Sequence, residues 1–254
     1  MRTKIEEKFS NFFETWMSKL EEYVQHHLTL KKEDKSSDEE VHYVPLVNKL
    51  TQHHKDYYTA KWACASEDVL AFFTPVWLSP LENAYLWITG WKPSMILRLV
   101  DSLRKGQVPG ATSLADLSEE QVKKIEGLRS RIRVDEEKVE REMERQQVAM
   151  ADRKMVELAR LVSLTKNGEH LAAASSSQIN GLVEMAIKEL LAGLEKVMKM
   201  ADCVRLKTLK GVLDVLNPMQ SADFLASSSV LQIQMRKWGK KREKRSVDEC
   251  ENHK

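Results

Sequence analysis

The residues able to bear chemistry are seven histidines, three cysteines and a basic run near the end of the chain. His26 and His27 are adjacent, as are His53 and His54, while His42, His170 and His253 stand alone. Neighbouring residues on a helix point about 100° apart, so neither pair can clamp one metal ion as an i,i+4 pair does. Cys64, Cys203 and Cys250 are odd in number, far apart and free of any C-x-x-C spacing, so neither a zinc ribbon nor a disulfide framework is signalled. No phosphate-cradling glycine loop, nucleophile elbow or H-E-x-x-H pattern occurs. Carboxylates are plentiful, but they mix with Lys and Arg as on a solvated helix face, not in the apolar setting that raises a pKa for acid–base work. The expectation is a protein that is not an enzyme and holds no metal or cofactor.

The basic run is KKREKR. Lys240, Lys241, Arg242, Lys244 and Arg245 match a monopartite nuclear-localisation pattern, which predicts a protein of nucleus and cytoplasm. Residues 236–245 hold seven basic side chains against Glu243, so the chain's net +2 leaves a body near −4. A mildly acidic body offers no broad footprint for nucleic acid. No leader-like apolar segment opens the chain and no apolar run approaches 18 residues, so no membrane segment is expected and the thiols are read as reduced and intracellular.

The elements that must position these residues read as helices throughout. Ile5, Phe9, Phe12, Phe13, Trp16, Leu20, Tyr23, Val24 and Leu28 recur at three- and four-residue steps, giving an amphipathic helix over 1–30 with an aromatic face. Phe9, Phe13, Trp16 and Tyr23 on that face are the candidate partner-binding residues. Eight of ten residues in 31–40 are charged, which predicts a solvated linker. A helical body over 41–235 follows, then a basic tail over 236–254. Within the body, a second helix is expected from about Val44–Pro45 to Ala65, and a short one is closed by Pro75. Ser79-Pro80-Leu81-Glu82 is a capping box with Pro at the first helical position, Gly90 suits a left-handed helix stop, and Pro93–Ser94 reopens a helix. Ser118 with Gln121 is a second box, opening a helix whose very polar middle (VDEEKVEREMERQQ) predicts a projecting arm of up to about 70 Å. Helices through Ile179 to Leu216 and from Phe224 to Trp238 complete an all-α multi-helix bundle with no sheet.

Trp77, Ser79, Pro80, Leu81, Glu82, Leu86, Trp87, Gly90, Pro93 and Ser94 together resemble the plant delay-of-germination (DOG) domain, which also forms the C-terminal part of TGA-type bZIP transcription factors. Trp16, the Tyr57–Tyr58…Lys61 helix, LADLSEEQVKKIEGL and the late segment RLKTLKGVLDVLNPMQSADFL are similar to the same family. Only eight residues precede Phe9, so no basic-region leucine zipper and no direct DNA binding are expected. The resemblance implies a regulator of seed dormancy, seed maturation and abscisic-acid response. It would act through protein contacts with type 2C protein phosphatases or TGA-type bZIP factors, or by self-association. A second reading is a haem or apolar-ligand sensor. A third is transcriptional cofactor work beside the bZIP factors. The family's haem-linked histidines match Gln232 and Arg236 here, so a haem site would fall to His26, His27, His53 or His54.

Overall fold

The computed structural model describes residues 2–33, 39–106, 112–166 and 173–251, with side chains described at 2–32, 42–106, 114–163 and 177–245. The three- and four-residue steps of the first segment become α1 (Lys4–Glu33), and the helix after the charged stretch is α2 (Glu39–Ala65). Both extend into the region expected as a linker, of which 34–38 lie outside the described residues. Pro45 sits inside α2 rather than at its first turn. Next come α3 (Leu70–Phe73), α4 (Pro80–Ala84) and α5 (Pro93–Arg104), then a 3-10 turn at Thr112–Asp116. The remainder is α6 (Glu119–Ala149), α7 (Arg153–Lys166), α8 (Ala173–Leu213) and α9 (Pro218–Glu251). No strand occurs among the described residues; one isolated antiparallel bridge joins Trp87 to Gly90.

Two packed layers share one core. In the first, α1 lies against α2 and α9. Phe9, Phe13, Trp16, Met17 and Leu20 are buried, and Phe9 meets Phe72 and Trp77 with ring centroids 4.7 Å apart in each pair. The ties Lys31–Asp223 near one end and Glu14–Lys240 near the other set α9 antiparallel to α1. In the second layer α6 runs antiparallel to α8, its apolar stripe of Ile125, Leu128, Ile132 and Val139 turned inward. Gly211 lets the helices close, since a Cβ there would sit 2.8 Å from Leu128 Cδ1. The wedge α5 buries Ile96, Leu97, Val100 and Leu103 and touches α6, α8 and α9.

Three expectations change. The arm helix is not continuous: after Ala149 the amides of Met150, Ala151 and Asp152 bond carbonyls three residues back, a tight turn that reverses nothing but separates α7 from α6. Its polar middle does not project freely, because Glu136 and Glu142 are buried against the body. The last helix opens at Pro218, six residues before Phe224, on a capping pair: Asn217 Oδ1 accepts from Gln220 N (2.7 Å) and Gln220 Oε1 accepts from Asn217 N (3.0 Å). The same helix runs on through the segment read as a tail. No helix among the described residues is long and apolar enough to cross a membrane.

Candidate functional site

Residues 77–94 form a capped helix, a tight turn and a second helix start. Ser79 Oγ accepts from Glu82 N, while Glu82 Oε2 accepts from Ser79 N (2.9 Å), the box expected from Ser-Pro-Leu-Glu. The turn that follows is closed by Trp87 N donating to Gly90 O (2.7 Å), and its two central residues are Ile88 (φ 41°) and Thr89 (φ 61°). Left-handed backbone at two β-branched residues costs on the order of 1–3 kcal/mol each and needs support from outside the turn. Gly90 itself is not the left-handed residue. It is a glycine because a Cβ there would lie 2.8 Å from Arg205 Cζ.

The support is a buried ionic cluster from α2 and α8. Arg205 donates through Nη2 to the carbonyls of Trp87 and Ile88 and through Nε to Trp91 O (2.7 Å), with its guanidinium 5.3 Å from the Trp87 ring centroid. Lys61 Nζ donates to Thr89 O (3.1 Å), Thr89 Oγ1 (2.9 Å) and Asp202 Oδ1 (2.9 Å). Asp202 also accepts from Arg205 Nη1 (2.6 Å) and Trp62 Nε1 (3.0 Å). Lys61, Asp202 and Arg205 are each at most 1% exposed. Burial pulls the Lys61 ammonium down to about 8, partly offset by Asp202, so it stays cationic at neutral pH. Burial likewise raises the neighbouring Tyr57 and Tyr58 phenols, which keeps them neutral. The cluster fixes the turn; nothing in it is open to a substrate.

The polar face of α6 holds the other side of the turn. Glu140 accepts from Trp87 Nε1 (2.9 Å) and Lys92 Nζ (2.7 Å), and the Lys92 bond holds its carboxyl below the usual range. Glu136 Oε1 accepts from Ser94 N (2.6 Å), a carboxylate from another helix at the positive end of α5. Leu86, Ile88, Phe73, Pro75 and Met143 line an open cleft of about 770 Å³ beside the turn.

The candidate partner residues are placed differently from expectation. Phe9, Phe13 and Trp16 are buried in the core and Tyr23 is half-buried, so this stripe is packing and not a partner face. Trp16 Nε1 donates to His53 O (3.0 Å), His53 Nε2 donates to Trp16 O (3.0 Å), and the rings stack at 4.7 Å. His27 is committed to buried Asp223 (2.9 Å) and His26 is exposed on α1. His27 and His53 do not fit a haem: the His53 face is covered by Trp16, and His27 Nε2 is taken by Asp223. Nor does the α9 position. Gln232 is half-buried, and Arg236 donates to Trp77 O (2.9 Å), pairs with Glu14 and Glu82, and lies 4.9 Å from the Phe13 ring centroid. Cys64 is buried and Cys203 exposed, both unbridged, while His170 and His253 lie outside the described residues. Lys240, Lys241, Arg242, Lys244 and Arg245 are exposed on α9.

The family model described as seed dormancy control matches residues 17–102, which include the capped helix, the turn and most of α5. The chain is 53% identical over 242 residues to Protein DOG1-like 4 of Arabidopsis thaliana, covering 95% of this chain and 96% of the relative. It is 27% identical over 242 residues to the same plant's Protein RESPONSE TO ABA AND SALT 1, covering 92% and 96%. Transcription factor TGA6 is 28% identical over 180 residues, 70% of this chain and 48% of that factor. With more than half its residues identical to such a relative over almost its whole length, this chain belongs to the DOG1-like family.

Proposed function

We propose that the protein is a non-enzymatic regulator of the seed-dormancy and abscisic-acid response that acts by contacts with other proteins. The observation that carries this reading is the match to DOG1-like 4 across 95% of the chain. The relative named for its response to abscisic acid and salt supports the physiological half. The geometry is consistent with it, because the buried ionisable groups of the 77–94 region are spent on holding one backbone conformation. Type 2C protein phosphatases are the first partner class. The match to TGA6 favours a second, in which the chain pairs with TGA-type bZIP factors as a transcriptional cofactor. Entry to the nucleus through Lys240 to Arg245 belongs to this proposal; the segment is helical here, so an importer that reads extended peptides must unwind the end of α9.

Affinity capture from maturing seed tests the contact reading. Folded protein should retain a type 2C phosphatase or a TGA-type factor that heat-unfolded protein does not. Recovery of neither class by the folded protein counts against it. Replacement of all five basic residues by Ala in a fusion too large to diffuse through nuclear pores tests the import reading, which unchanged nuclear accumulation would sink.

A further inference from the structure

We propose that the outward face of α9 formed by Leu231, Trp238, Lys241 and Arg245 is a docking site for an acidic amphipathic segment of a partner protein. Steps of seven, three and four residues put these side chains on one face, rising about 21 Å. Leu231 is 41% and Trp238 54% exposed, and Lys241 and Arg245 are exposed beyond them.

Several neighbouring residues of α9 are already committed within the molecule. Arg236 is buried, Lys237 pairs with Glu21 (2.9 Å) and Lys240 with Glu14 (3.3 Å), so these three cations are already paired within the molecule. Gly239 faces the Ser79 cap, where a Cβ would lie 2.0 Å from Ser79 Oγ, and Glu243 lines the cleft beside α4. These contacts fix the rotation of the helix and turn Trp238 to solvent. Among the described side chains no carboxylate lies within ion-pair distance of Lys241 or Arg245.

Charge and shape select the occupant. An exposed tryptophan with an arginine two turns further along the same face is the composition of an interface anchor. The upper half of the stripe is apolar and the lower half cationic, so it complements a helix bearing one or two apolar residues followed by carboxylates, laid along α9 over three to four turns. A nucleic acid fits poorly, since Glu14 and Glu21 flank the stripe and Asp248, Glu249 and Glu251 follow it in the sequence, repelling an extended polyanion. A lipid surface needs a wider apolar face than Leu231, Trp238 and the bordering Val230 provide. This inference rests on the protein-contact reading for its partner class, and it adds the site.

Fluorescence anisotropy with a labelled synthetic helix carrying a Leu stripe followed by Glu residues tests it on the full-length protein. Oligothymidylate and anionic phospholipid vesicles serve as competing probes. The wild type should bind the acidic helix, Trp238→Ala should weaken it about tenfold, and the pair Lys241→Glu with Arg245→Glu should weaken it further. The charge-reversed protein should recover binding to the same helix carrying Lys in place of Glu, a rescue that a misfolded variant cannot give. Equal binding by all variants, or preference for oligothymidylate or vesicles, overturns the proposal. If Trp238→Ala still captures a phosphatase or TGA-type factor from seed at the wild-type level, this face is excluded while the regulatory reading stands.

Discussion

Removing the Asp202 carboxylate would strand two buried cations, Lys61 and Arg205, beside the four backbone carbonyls of Trp87, Ile88, Thr89 and Trp91. Breaking one partner of a buried ionic group costs about 3–5 kcal/mol, so Asp202→Ala should lower the urea midpoint by that equivalent and loosen the turn at Ile88 and Thr89. Gly90→Ala leaves every charge in place but drives a methyl into the guanidinium; we expect a loss of about 1–3 kcal/mol, read by the same denaturation curve. If Gly90→Ala is neutral, the glycine is not there for Arg205. A second residue-scale effect concerns pH. Burial lowers His54 to about 4, with His53 adding to the shift, and His53 is itself lowered by burial. Between pH 6.5 and 4 the unfolded chain therefore binds more protons than the folded one, and stability falls as pH falls through that window. His54 keeps some contact with solvent, so its share is about 1–2 kcal/mol. The wild type should lose that much more than His54→Phe between pH 7 and 4, and parallel curves for the two would refute it.

The helices were legible where the chain carries local start signals and opaque where a long-range partner decides. Ser79 and Ser118 announce α4 and α6 because an N-cap hydroxyl and a carboxyl or amide three residues on satisfy each other within one turn. Asn217-Pro218-Met219-Gln220 carries the same signal and could have placed the start of α9. The aromatic stripe of α1 was legible as a stripe, but only the packing of Tyr57, Phe72 and Trp77 onto it shows that it faces inward. Lys61, Asp202 and Arg205 could not be joined from the sequence, being 141 and 144 positions apart; the one clue was an Asp and an Arg three apart in the apolar run MADCVRL. Helix ends met from outside are equally silent. Glu136 reaches the first turn of α5 from α6, and Glu136→Ala should cost about 1 kcal/mol, with Glu136→Gln intermediate because the amide oxygen still accepts. The contact of α9 with the Ser79 cap is tighter. Gly239→Ala places a methyl 2.7 Å from Ser79 Cβ, next to backbone that cannot move aside, and should cost about 2–3 kcal/mol in thermal or chemical melts. A stability change within error would show that α9 can shift outward there.

At the scale of the molecule the far part of the α6–α8 hairpin is separable from the body. The register of the two helices runs from Leu128 against Gly211, through Asp135 with Lys207 and Glu142 with Lys196, to Gln146 against Gly193. Among the described side chains beyond that point burial thins: Leu158 and Ile179 keep 8% exposure, Ala186 is well covered, and Val148, Met150, Val156, Leu182, Met185 and Ile187 are all exposed. Few buried side chains mean little stabilisation at about 25 cal/mol per Å² of apolar surface, and a segment of this kind opens locally at low free energy. Gln146 and Gly193 lie side by side on antiparallel helices, a geometry that a loop of about three to five residues can close. Replacing residues 148–190 by such a loop should therefore leave a cooperatively folded body with its melting temperature changed by no more than about 5 °C. The buried cluster at Lys61, Asp202 and Arg205 and the α1–α9 ties all lie outside the deleted part, so the cleft beside 77–94 and the Trp238 face should persist. Loss of a single cooperative transition would show that the hairpin is integral to the core. Retention of the fold with loss of partner capture from seed would move the functional surface out to the arm and away from α9.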